Sequence, residues 1–339
     1  MSPVHVLDRY YLSITVLVTI VYQLLGFFIA WTLQFDKITD FTGGSNFFIL
    51  ALLTLLIGNT FYARHIVASV LVMIWAVRLA GFLLFRVLKT GSDTRFDDIR
   101  SHFLKFLGFW VGQILWVWTV SLPLTILNSP AVSQTSLGGS NPSFGTSRDI
   151  AGIIIWALGW LIESTADVQK YRYKSSGNSR KDRPIQSGLW GWSRHPPYFG
   201  EIMCWWGIWI LCLSPSTDGH LSSSAKAAQY GSIVSPIFTT ILLMFGSGLP
   251  TAEKPTAKKY YLLSHGAQAK EEYANAWRQY KVYLKKTSIL IPLPPALYRP
   301  LPEFVKRTLL LDFPIYRFDE EKDGADAKEE DRRRMEDQD

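Results

Sequence analysis

The sequence predicts an all-α, polytopic membrane protein with about seven transmembrane helices and cytosolic interfacial helices after the last of them. Three observations carry this. Apolar stretches recur at membrane-spanning length, basic residues collect in alternate connections, and the 13 Trp and 20 Phe fall largely within or beside the apolar stretches. A helix needs ~20 apolar residues to cross ~30 Å of hydrocarbon. Helices satisfy their own backbone there, where no water can.

The expected spans follow in order. Tyr11–Leu33 and Phe47–Ala63 are uncharged. Ile66–Leu88 carries only Arg78 and Arg86, and Phe103–Leu127 only Lys105. Ile150–Ala166 carries only Glu163, Tyr198–Leu213 only Glu201, and Ile233–Leu249 no charge. Tyr11–Leu33 reads as a first span, not a cleaved signal. It is longer than an h-region of ~7–15 residues and has no strongly basic lead.

The formal charge of +7 is unevenly placed. Arg86, Lys89, Arg95, Arg100 and Lys105 follow span three. Lys170, Arg172, Lys174, Arg180, Lys181, Arg183 and Arg194 follow span five. The connections after spans four and six hold only Arg148 and Lys226. The bias toward basic cytosolic loops then predicts a lumenal or external N-terminus and a cytosolic C-terminus. Topology alone accounts for these basic loops, so nucleic acid is not needed as a partner. The two cysteines, Cys204 and Cys212, share one apolar segment and imply neither a disulfide framework nor a metal site.

Between the spans, Asn128–Ser147 is a Ser/Gly/Pro-rich loop and Ser214–Ser224 a Ser-rich turn. Lys254–Lys286 mixes polar residues with aromatics and reads as interfacial amphipathic helix. Residues 1–318 read as one integral membrane domain with its cofactor-binding half at about 150–292. The tail 319–339 is dense in charge and is expected to be disordered.

Two stretches carry chemistry. Glu163, Asp167, Lys170 and Lys174 are spaced four, three and four apart, which puts them on one helix face. They form either an ion-paired helix end or the polar wall of a ligand site. Carboxylates at membrane depth usually face an interior cavity or a partner. The second stretch is "GLWGWSRHPPYFGEIMCWW", Gly188–Trp206. Pro197 suits a first helical turn, and the helix dipole favours a carboxylate at Glu201. Helix capping does not account for Arg194 beside His195 within a tryptophan-rich rim. The tryptophans form either an interfacial belt or a stacking surface for a flat ring.

"WALGWLIESTADVQKYRYK" followed by "GLWGWSRHPPYFGEI" resembles the C-terminal signature of the steroid 5-alpha reductase-like superfamily, in particular its multispan branch. "WAVRLAGFLLFR", "GSDTRFDDIR", "SGLPTAEK" near Glu253 and "YLKKTSILIP" extend the likeness over about Trp75–Pro292. Sterol C14 and C24 reductases share the Arg-His-Pro stretch, as do isoprenylcysteine carboxyl methyltransferases. The resemblance implies NADPH-dependent reduction of a carbon–carbon double bond in a lipid or steroid-like substrate, in the endoplasmic reticulum membrane. It implies cofactor contacts from Glu163, Asp167, Lys174, Arg183, Trp190 of the "GLW" turn, Arg194, His195, Tyr198, Glu201 and Tyr283. Pro197 stands where the family usually has asparagine, and Glu163 where several members have it. An S-adenosylmethionine-dependent methyltransferase and a non-catalytic lipid-binding relative are the alternatives. No residue is singled out as proton donor.

Overall fold

The computed structural model describes residues 4, 6–33, 38–90, 99, 101–177 and 180–336. Fifteen α-helices run along them. They are α1 Leu12–Thr32, α2 Thr39–Gly58, α3 Ala63–Thr90, α4 Phe103–Asn128, α5 Pro130–Ser133, α6 Ser147–Ser175, α7 Pro196–Cys212 and α8 Ser214–Asp218. There follow α9 Ser223–Gly231, α10 Val234–Phe245, α11 Leu249–His265, α12 Ala276–Lys286, α13 Pro295–Tyr298, α14 Glu303–Thr308 and α15 Lys322–Glu336. The described residues contain no strand.

Six segments are long and apolar enough to cross a membrane: Leu12–Thr32, Thr39–Gly58, Ala63–Lys89, Phe103–Ser133, Ser147–Ser175 and Ser223–His265. The protein is an all-α integral membrane protein. Two sequence expectations shift. Tyr198–Leu213, counted as a span, is the 17-residue α7, shorter than the other six. The second span begins at Thr39, not Phe47, because Gly43 and Gly44 join the helix as close-packing positions against Gln113 and Ala80. It stops at Asn59, which is left-handed at φ 49°, a conformation asparagine tolerates.

The chain divides into two compact units, where the sequence suggested one block over 1–318. One comprises Met1–Ala157 and Met203–Thr239, the other Leu158–Ile202 and Thr240–Asp339.

In the first unit α1–α4 pack together, and several of their buried polar groups pair with one another. Gln23 Nε2 donates to Asn46 Oδ1 at 3.0 Å, and Gln113 Nε2 donates to Gln23 Oε1 at 2.9 Å. Asn128 Nδ2 donates to Thr54 and Ser69 at 3.1 and 3.2 Å. Such pairing is what a hydrocarbon surround demands. The loop 128–147, read as irregular, is held by buried Arg64. Its guanidinium reaches Asp149 at 2.8 and 2.9 Å, Asn141 Oδ1 at 2.9 Å and the carbonyls of Pro142 and Ser143. Cys204 and Cys212 are buried and unbridged.

In the second unit α11 and α12 pack through an aromatic layer of Tyr260, Tyr261, Trp277, Tyr280 and Tyr283. Tyr260 and Tyr280 stack with ring centroids 4.8 Å apart. The tail does not match its expected disorder: residues 322–336 form α15 against α11, and 337–339 lie outside the described residues. Composition undercounts its anchors. A Cβ on Gly324 would lie 2.8 Å from Tyr261 Cζ, so α15 needs only small residues where α11 supplies the apolar surface. Lys254–Asp323 at 3.3 Å and Lys258–Glu330 add ion pairs across the two helices.

Candidate functional site

All ten residues that the sequence nominates fall in the second unit. The site grows from three local features: the last turns of α6, the Gly188–Trp192 turn, and the entry to α7.

On α6, Glu163 is buried and Asp167 half-buried, while Lys174 is exposed at the helix end. The Glu163 face meets α7 at Gly200. A Cβ there would sit 2.6 Å from Gly159 O and 2.8 Å from Glu163 Cβ. Only glycine permits this approach, and it brings the helix bearing Glu201 onto the helix bearing Glu163.

Gly188 turns the chain at φ 60°, and its missing side chain leaves room for Gln169, whose Oε1 accepts from Leu189 N–H at 3.0 Å. Trp190 then tucks inward. Its indole N–H donates to Ala166 O at 2.9 Å, and Lys170 Nζ lies 4.7 Å from the ring centroid. Tyr283 O–H donates to Trp190 O at 2.9 Å. Trp190 and Tyr283 therefore bind α6, the turn and α12 to each other. Burial pushes the Tyr283 hydroxyl pKa far up, so it stays a neutral donor.

Beyond the turn, Ser193 pairs with Ser288 in a parallel bridge. Arg194 N–H donates to Ser288 O at 2.8 Å, and Ser193 O–H to Leu290 O at 2.7 Å. The "SILIP" segment thus lies along "WSRH". Arg194 itself is buried, and its two terminal nitrogens are divided between two carboxylates. Nη1 donates to Glu253 and Nη2 to Asp312 Oδ2, the latter at 2.7 Å. Asp312 also accepts from Tyr298 O–H at 3.0 Å. Burial opposes the guanidinium charge, but Glu253 and Asp312 outweigh it and raise the Arg194 pKa.

His195 Nε2 lies 2.6 Å from Glu253 Oε1, and its ring stacks on Tyr198 at 5.2 Å and 2°. Burial holds the imidazole below its ordinary value despite Glu253, and Arg194 and Lys170 push the same way. The ring is therefore neutral near pH 7, with its Nε2–H donated to Glu253 and Nδ1 left as an acceptor.

The remaining nominee, Arg183, is 3.7 Å from Asp182, which also takes two bonds from Arg180 at 3.0 and 3.1 Å. Arg183 Nε is buried with no hydrogen-bond partner among the described residues. Lys174 and Lys181 act electrostatically on exposed Lys259 of α11, so the three cations lie near one another.

Sequence reasoning missed Asp312, Tyr298 and the pivotal position of Glu253. Glu253 stands in the lysine-rich "PTAEKPTAKK", where a carboxylate reads as solvated. Asp312 carried a usable signal: it is the one charge in the apolar run "TLLLDFPIY". Among the described residues, no group of three or more His, Cys, Asp or Glu is arranged to hold a metal ion.

A family model described as a protein of unknown function (DUF1295) matches residues 26–275. The chain belongs to that family. No curated protein and no solved structure matches the chain. Arg194, His195 and Glu253 lie inside the DUF1295 match, while Tyr283, Ser288, Tyr298 and Asp312 lie beyond its end.

Proposed function

We propose that this DUF1295 protein is a membrane-embedded reductase that draws on NADPH to saturate a carbon–carbon double bond in a lipid or steroid-like substrate. The observation that carries the reading is convergence. Segments around residues 253, 288 and 312, far apart in sequence, meet in one unit at the Arg194–His195 pair, and the segment around 163 meets α7 at Gly200. A stability role alone does not require a neutral histidine, a shared arginine and a tyrosine stack in one place.

The residues present fit an anionic dinucleotide in part. Lys174, Lys181 and Lys259 form a cation cluster suited to phosphates, and Arg183, whose Nε faces Asp182 at 3.7 Å without a hydrogen bond, adds a fourth cation in the same unit. When bound, NADPH supplies a hydride equivalent. His195 Nδ1 offers an acceptor for an amide N–H, with Tyr198 behind the ring. Arg194 is a positioning residue: it holds Glu253, and Glu253 holds the tautomer and orientation of His195. Trp190 and Tyr283 build the wall and do not present free polar groups. Endoplasmic reticulum residence, with the basic end of α6 in the cytosol, belongs to the same reading.

The test is thermal unfolding of the detergent-solubilised full chain with NADPH, NADH or S-adenosylmethionine. Ligand that binds only the folded state raises the midpoint. Protection by NADPH alone is the expected result. Protection by S-adenosylmethionine alone would replace the reductase with a methyltransferase, and protection by neither would leave a non-catalytic lipid-binding protein.

A further inference from the structure

The face of α6 opposite Glu163 and Asp167 borders a cavity of about 560 Å³ within the second unit. Leu161, Ile162, Thr165 and Gln169 form its floor, the Gly188–Trp192 turn one wall, and Lys286 and Pro295 the rim. None of the ten nominated cofactor residues lines it. We propose that this groove binds an anionic phospholipid of the surrounding bilayer, headgroup against Lys286 and acyl chain along α6.

Three observations support that occupant. The first is the polarity of its wet end. Gln169 Oε1 is taken by Leu189 N–H, and Gln186 Oε1 by Lys286 Nζ at 2.7 Å. With both amide oxygens used, the two amide nitrogens and the ammonium remain as donors. Among the described residues neither amide nitrogen has a hydrogen-bond partner. Two amide nitrogens and one ammonium at the same end suit a phosphate diester.

The second is the apolar end. Leu158, Leu161 and Val168 are exposed along one stripe of α6, and Leu161 belongs to both stripe and groove. An acyl chain leaving the headgroup site therefore runs onto a lipid-facing surface without crossing polar ground. Exposed Trp192, also in the lining, is an amphipathic ring of the kind found at headgroup level. The third is the construction of the wall. A Cβ on Gly188 would lie 2.4 Å from Gln169 Nε2, and one on Gly191 would lie 2.6 Å from the backbone carbonyl oxygen of Gln186. Glycine at 188 therefore leaves the Gln169 amide in place, and glycine at 191 lets the turn close against the backbone of Gln186. Basic pockets beside membrane helices are a common form of lipid headgroup site.

The experiment uses the full chain reconstituted into phosphatidylcholine vesicles containing a minor share of photoreactive phosphatidylglycerol or, separately, photoreactive phosphatidylcholine. Labelling is mapped to peptides. The expected result is preferential labelling by phosphatidylglycerol of peptides holding Leu161 and Trp192. Lys286→Met should cut it about tenfold, the loss of a charge-assisted contact. Leu161→Trp fills the groove and should remove labelling by either lipid. Should that variant fail to fold, Gln186→Leu on the rim gives the same reading for the headgroup end. Equal labelling by the two lipids, or no effect of Lys286→Met, overturns the proposal. So does displacement of the label by excess inorganic phosphate, which would make the site one for a free anion.

Discussion

Arg194 Nη2 donates to Asp312 Oδ2 at 2.7 Å, tying the entry of α7 to a residue 118 positions later and outside the DUF1295 match. Both groups are buried, and Glu253 takes the other terminal nitrogen. Removing Asp312 leaves Arg194 paired with Glu253 but strands two buried donors, Nη2 and the Tyr298 O–H, at about 1–3 kcal/mol each. Asp312→Ala should therefore lower the unfolding midpoint in detergent markedly. Asp312→Asn, which keeps an acceptor for Tyr298 and Arg194, should lose less. Equal loss from the two would mean that shape, not charge, sets the contact.

The pH dependence of stability follows from His195. Its folded pKa lies below the ordinary value of about 6.5, because burial disfavours the charged ring more than Glu253 favours it. As pH falls, the unfolded chain takes this proton first. Stability from this group is thus full above about pH 6.5 and declines as pH drops toward the folded pKa. Midpoints measured from pH 7.5 downward should show this slope, and His195→Gln should flatten it. A midpoint that rises on acidification would reverse the assigned sign.

Helix contact at Gly200 is tested by bulk. Gly200→Ala places a methyl against Gly159 O and Glu163 Cβ and should cost about 1–3 kcal/mol. Gly112→Ala in α4 meets nothing within 4 Å and serves as control, neutral or stabilising by up to about 1 kcal/mol.

Cofactor selectivity should follow the cations. NADPH should bind more tightly than NADH, measured by tryptophan quenching, and Arg183→Ala should erase most of the difference, about ten- to a hundredfold. Indifference of the unmodified protein to the 2′-phosphate would remove Arg183 and Lys174 from the site.

Orientation is read by labelling in sealed vesicles. Ser136 and Lys181 are exposed, and the native Cys204 and Cys212 are buried, so single cysteines at the two exposed positions report cleanly. Ser136→Cys and Lys181→Cys should react with an impermeant thiol reagent from opposite faces. Reaction from one face would undo the topology drawn from basic loops.

The class of this protein is legible in its primary structure. Runs such as Tyr11–Leu33 can be stable in only a few ways, because hydrocarbon offers the backbone no partner, so composition alone fixed helix and membrane. It also marked Arg194 and His195, since a charged pair at the mouth of an apolar helix is costly without a use. It showed α7 as a span because periodicity and hydropathy do not register that Pro196 and Cys212 bound it at 17 residues. What the marked residues touch follows only from the folded chain. Trp190 and Tyr283 became wall-builders because their polar groups found backbone carbonyls. Glu253 and Asp312 became partners of one guanidinium because the chain after α12 returns to it. The tail became α15 because Tyr261 supplied an apolar surface that its own composition lacks. Pairing of charges across more than a hundred residues depends on where the backbone goes, and no local pattern encodes that.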